Sequence, residues 1–179
     1  MNFRKVKIFT GKSFRVPEHI QRLDSDGTHG WQLRYGRGTT GTEMFSDFSN
    51  DGSGAAAALG KAVAALRSRI KKLPASTGLR TSPLARKSSN LPVGISGPVE
   101  RHRAGRNTPS YSFLVSVPLA TGGSTTRSVY IGTANTMTPK REKEARAKAV
   151  AIREEAARKF VIAKTRALRK DAAAALAPK

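Results

Sequence analysis

The sequence predicts an α+β protein of two tandem units, each a three-stranded antiparallel sheet packed on one helix, with the second helix long. Three observations carry this. Short runs that alternate apolar and polar residues come in threes, the mark of half-buried strands. Each group of three precedes a stretch with apolar residues every three or four positions, the mark of an amphipathic helix. That order occurs twice in 179 residues, around a basic stretch rich in Ser, Thr and Pro. The expected divisions are a basic N-terminal arm or strand at 1–17, a first unit at 18–74, a linker at 75–91, a second unit at 92–165 and a basic, Ala-rich tail at 166–179.

In the first unit, Ile20-Gln-Arg-Leu23 alternates, and Asp24 to Gly30 is turn-rich, with Asp24 and Asp26 as turn formers. Trp31-Gln-Leu-Arg-Tyr35 sets large apolar side chains against polar ones and reads as the second strand. Gly36 to Gly41 reads as a hairpin connection, and Glu43 to Phe48 as the third strand. Ser53 is placed to cap a helix in which Leu59, Ala62, Val63, Leu66, Ile70 and Leu73 share a face, and Pro74 stops it.

In the second unit, Val99 to Arg103, Tyr111 to Val117 and Arg127 to Gly132 read as strands, joined by turns at 104–109 and 120–125. Thr138 before Pro139 is the preferred start of a helix. Ala145, Ala149, Ile152, Ala156, Phe160, Ala163 and Ala167 carry that helix past residue 165, and 171–179 reads as a frayed end. Lys61-Ala-Val-Ala64 and Lys148-Ala-Val-Ala151 are identical and fall at equivalent helical positions. Trp31, Leu33 and Tyr35 line up with Phe113, Val115 and Val117, and the aromatics at 31 and 113 read as core beneath the helices.

Charge is the second strong signal. Lys and Arg number 33 against 12 Asp and Glu, a formal net charge of +21. So large a surplus opposes compaction and points to a polyanionic partner. It is uneven: +5 over 1–22, zero over 23–70, +7 over 71–110, +1 over 111–138 and +8 over 139–179. There is no cysteine, which excludes disulfides and thiolate metal sites, and His19, His29 and His102 are scattered, so neither metal nor cofactor is expected. With no convergent nucleophile, base or ligand set, the chain reads as non-enzymatic. The Gly36, Gly38, Gly41 series and Gly122-Gly123 lack the Gly-Lys-Ser/Thr ending of a phosphate loop, and Gly11-Lys-Ser13 lacks its upstream glycine. No apolar run has signal-peptide length or approaches the roughly 18 residues of a membrane span, so a cytoplasmic, nucleoid-associated protein is expected, with no membrane partner.

Val93-Gly-Ile95, Tyr111-Ser-Phe-Leu-Val115, Val129-Tyr-Ile-Gly-Thr133 and the Ala-rich helix at 141–157 together resemble the plant ethylene-response-factor type of DNA-binding domain, which also occurs in bacterial and phage proteins. The likeness covers residues 92–160, and more loosely 18–73, where Asp47 stands in place of a family glycine. It implies a three-stranded sheet lying in the major groove of duplex DNA with the helix packed behind. By that likeness Arg101, Arg103 and Arg127 reach base edges and phosphates from the second unit, and Arg22, Arg34 and Arg37 from the first. Arg106, in a turn, is expected on phosphate, and Lys71, Lys72, Arg80, Arg86 and Lys87 add phosphate attraction from the junction of the units.

Double-stranded DNA is therefore the expected partner, with a transcriptional regulator or chromosome-organising factor as the expected role. The near-neutral first unit is expected either to read bases weakly or to dock a protein partner. Structured RNA, ribosomal RNA included, and an acidic protein partner are the alternatives, because charge alone does not separate polyanions.

Overall fold

The computed structural model describes residues 1–36, 41–80, 82–83, 89–105 and 107–177. Among them, eight strands form three antiparallel sheets, accompanied by two helices. The chain divides into two compact units, Met1–Ser76 with Thr165–Lys179, and Thr77–Lys164. No helix among the described residues is long and apolar enough to cross a membrane.

The first unit opens with a paired element where the sequence suggests an arm or a single strand. Strands β1 (Phe3–Lys7) and β2 (Ser13–Pro17) pair as a two-stranded ribbon. Gly11 sits at φ +88 in the connecting turn, a left-handed conformation that costs glycine little. Strands β3 (Ile20–Ser25), β4 (Thr28–Arg34) and β5 (Thr42–Ser46) make a separate sheet in that order. Helix α1 (Ala55–Lys72) covers one side of it. Its Ala55, Ala58 and Ala62 bury against the sheet, and Leu66 and Ile70 extend the same stripe. Small residues let the helix approach closely enough to enclose Trp31, Leu33 and Ile20, all fully buried. The Trp31 indole N–H donates to the Ala55 carbonyl at 2.8 Å, so burying the ring leaves no orphan donor.

Two local expectations change. The residue that caps α1 is Gly54, not Ser53, and it makes no side-chain capping bond. Gly54 packs so tightly on the Asp47 backbone that a Cβ there would collide with it, while Asp51 accepts the Ser53 amide at 2.9 Å. Leu73 is the C-cap, 38% exposed rather than part of the buried stripe. The expected frayed end is also corrected: Ala172 and Leu176 are buried in the first unit's core, with Leu168 packed against it. Their spacing of four keeps them on one helical face, which gives the chain's last turns something to bury.

In the second unit, β6 (Ile95–Arg101), β7 (Ser110–Pro118) and β8 (Ser124–Thr133) form the third sheet in that order. Ile95, Phe113, Val115, Val129 and Ile131 pack with Ala145 and Ala149 of α2 (Pro139–Ala175). Thr138 Oγ1 accepts the Arg141 amide at 3.3 Å, the capping role its place before Pro139 suggests.

Candidate nucleic-acid interface

In a pleated strand alternate side chains point to opposite faces, so parity decides which arginines meet solvent and which meet the helix. In the first sheet Arg22 lies opposite Trp31, which in turn lies opposite Phe45. Arg22 therefore faces the core. Its guanidinium forks onto Asp47, reaches Asp24 Oδ1 at 2.8 Å and stacks over Trp31, leaving its side chain 5% exposed. Arg22 is thus removed from the expected interface, because its cation is already neutralised beneath the surface. The open face of this sheet carries Gln21 opposite Gln32, Gln32 opposite Met44, and the exposed Arg34 opposite Thr42. Arg34 Nε donates to Gln32 Oε1, which lays the guanidinium along the sheet.

The second sheet sorts its arginines in the same way. Arg127 lies opposite the buried Val115 and shares parity with Val129 and Ile131, so it projects on the helix side. There it lines a groove with Ile152, Glu155, Lys159 and Phe160. The Glu155 carboxyl lies below the usual carboxylate range, chiefly through its hydrogen bond from Lys159, with Arg127 contributing. Arg127 therefore does not belong to the open sheet face. Arg101 does: it lies opposite Ser110, which lies opposite Thr133, beside the pairs Ser112–Tyr130 and Leu114–Ser128. Arg103 is exposed in the loop that follows β6.

Lys71 and Lys72 are exposed in the last turn of α1, and Arg80 is exposed in the irregular segment beyond it. Arg37, Arg86, Lys87 and Arg106 lie outside the described residues.

The basic N-terminal arm or strand expected from the sequence is a paired ribbon, and none of its cations is among the site residues the sequence singles out. Lys5 lies directly opposite Arg15, flanked by the pairs Lys7–Ser13 and Phe3–Pro17, so these side chains share a face. Lys12 is exposed in the turn, and the Arg15 guanidinium sits 4.4 Å over the Phe3 ring. Residues 1–17 contain five basic groups and no acid. Among the described residues none of Lys5, Lys7, Lys12 and Arg15 forms an ion pair. Arg4 is held apart, donating to the Ile20 carbonyl at 2.9 Å. The signal was present as Lys5 and Lys7 alternating with Val6 and Ile8, opposed by Arg15 alternating with Phe14 and Val16.

Four of the twelve acids pair with Arg or Lys within the protein. Asp24 and Asp47 take Arg22, Glu43 takes Arg69 at 2.7 Å, and Glu155 takes Lys159 at 2.6 Å. Among the described residues no cluster of three or more His, Asp or Glu could hold a metal ion.

No protein-family model matches the chain, and neither a curated protein nor a solved structure matches it.

Proposed function

We propose that this chain binds duplex DNA without catalysing a reaction, acting as a transcriptional regulator or chromosome-organising factor. The observation that carries the reading is the ribbon, where Lys5, Lys7 and Arg15 share a face, Lys12 is exposed in the turn, and none of the four forms an ion pair among the described residues. A two-stranded ribbon has the width that the major groove admits, and cations on it release counterions from the phosphates. Arg34 and Arg101 on the open sheet faces, with Arg103, Lys71, Lys72 and Arg80, extend the attraction. A globular protein with no polyanionic partner has little reason to leave so many cations without acids.

We further propose that the two units are versions of one sheet-plus-helix design related to the ethylene-response-factor type. Matched burial supports this: Trp31 with Phe113, Leu33 with Val115, Ala58 with Ala145, and Ala62 with Ala149 are buried in both members of every pair. Structured RNA is the second reading, favoured by Tyr130, which stands 59% exposed on an open three-stranded sheet face.

Competitive anisotropy titrations of the full chain against duplex DNA and structured RNA test the proposal. Duplex binding should weaken linearly with the logarithm of salt concentration. An RNA preference of about tenfold moves the assignment to RNA, and no binding to either polymer at low salt overturns it.

A further inference from the structure

We infer that a cleft at one end of the second sheet's open face binds a single unpaired nucleotide. The inference rests on the nucleic-acid reading above and deepens it by naming what this part of the surface receives.

The cleft, about 660 Å³, is floored by the cross-strand residues Ser110, Thr133 and Tyr130. Its rim comes from the loop between β6 and β7, with Arg103 and Asn107, and from the turn between β8 and α2, with Asn135. Ligand sites commonly fall in the range of roughly 300–1,000 Å³, so a nucleotide fits with room to enter.

The lining chemistry narrows the ligand. Tyr130 offers an exposed ring that stacks on no other aromatic among the described residues, and a base can lie on it. Asn107 and Asn135 carry carboxamides, each with donors and an acceptor that match the mixed edge of a base. Neither carboxamide has a hydrogen-bond partner among the described residues, so both are available to a ligand. Arg103 supplies a fork for phosphate. Among the described residues no carboxylate lines the cleft, so none of them repels an anion there. The turn is held in shape, since Thr136 Oγ1 accepts the Thr133 amide at 2.9 Å and lies 3.0 Å from the Thr133 hydroxyl.

A base within an intact duplex has its faces covered and its pairing edge occupied, so it offers the cleft nothing to stack or read. A nucleotide in a bulge or gap, or a free mononucleotide, presents both.

The full chain is titrated with three 2-aminopurine probes: a fully paired duplex, the same duplex with the fluorescent base bulged, and the free nucleoside monophosphate. The expected result is a preference of about tenfold for the bulged over the paired duplex, the size one stacked base supplies, with a fluorescence change that Tyr130→Ala and Asn135→Ala abolish. Both variants should keep the paired-duplex affinity to within about twofold, since the positions are exposed and carry no charge. A Tyr130-dependent signal from the free monophosphate, without a bulge preference, supports the site and assigns it to mononucleotides. Equal affinity for the two duplexes, with no Tyr130-dependent signal from any probe, overturns the inference while duplex binding stands. Failure to bind any probe or duplex overturns both.

Discussion

Arg22 and Asp47 form a two-pronged ion pair, Nη1–Oδ1 at 2.9 Å and Nη2–Oδ2 at 2.6 Å, closed over the Trp31 ring. The Asp47 side chain has no exposed surface. The pair accounts for a carboxylate buried beneath this sheet. It neutralises an arginine that strand parity turns inward.

Removing one partner of such a pair strands the other charge below the surface. Asp47→Ala should cost about 3–5 kcal/mol of stability, measured by urea unfolding. Arg22→Met combined with Asp47→Leu should recover most of that loss, because an apolar pair leaves no charge to solvate. DNA affinity of the folded double variant should be unchanged, since the Arg22 side chain is only 5% exposed and that of Asp47 fully buried.

Acid should destabilise the first unit in a defined window. Burial works to raise the Asp24 carboxyl, but hydrogen bonds from Arg22 and His29 outweigh it and hold it low. Asp51 is lowered to about 2 by the Ser53 amide and the hydroxyls of Ser53 and Ser49. An unfolded aspartate titrates at about 3.9, so both groups contribute fully above that pH and lose their contribution as pH falls through their lowered folded values, about 2 for Asp51. The melting temperature should decline below about pH 4, and Asp51→Asn should shrink that decline.

Leu176 is 4% exposed in the core shared with Ala172, α1 and the first sheet. Leu176→Ala should destabilise the protein by about 2–5 kcal/mol, with hydrogen exchange accelerating in α1 and β4. An unchanged melting temperature would mean that the last turns of α2 do not pack on this core.

Simultaneous replacement of Lys5, Lys7 and Arg15 with alanine should weaken duplex binding and reduce the salt slope by up to about three, near 0.9 for each phosphate no longer neutralised. Arg127→Ala, on the helix side of its sheet, should leave the slope nearly unchanged. The opposite ranking would relocate the interface away from the ribbon.

The Tyr35 hydroxyl is buried without a hydrogen-bond partner among the described residues, and burial pushes its ionisation up while Arg169 pulls it partly back. An unsatisfied buried hydroxyl costs more than its absence, so Tyr35→Phe should be neutral or stabilising by about 1 kcal/mol in thermal melts.

The strands of the two large sheets were legible because Trp31, Leu33, Phe113, Val115, Val129 and Ile131 impose a period of two on their segments. Parity within those strands also held the orientation of the arginines. Arg22 shares a face with Ile20, and Arg127 with Val129, although the apolar Leu23 beside Arg22 obscures the first case. The ribbon was harder to see because five-residue strands with charged outer faces resemble a basic arm until the two segments are paired. The buried end of α2 was not legible at all. Alanine at 172 buries little area, and nothing local shows that Leu168 and Leu176 meet residues more than a hundred positions earlier. Of the proposed interface, the sequence located the charge but not the Arg103, Asn107, Tyr130 and Asn135 cleft, which exists only once two loops meet beside the sheet.

Because Ala172 and Leu176 complete a core begun by Val16 and Trp31, the first unit is discontinuous, with the second inserted between its two stretches. On the ribosome, β1 through α1 emerge early but lack their last wall until residue 176 has been translated. The opening half of this protein is therefore the last to reach its full resistance to unfolding, and its nascent form should be the more exposed to proteases and chaperones.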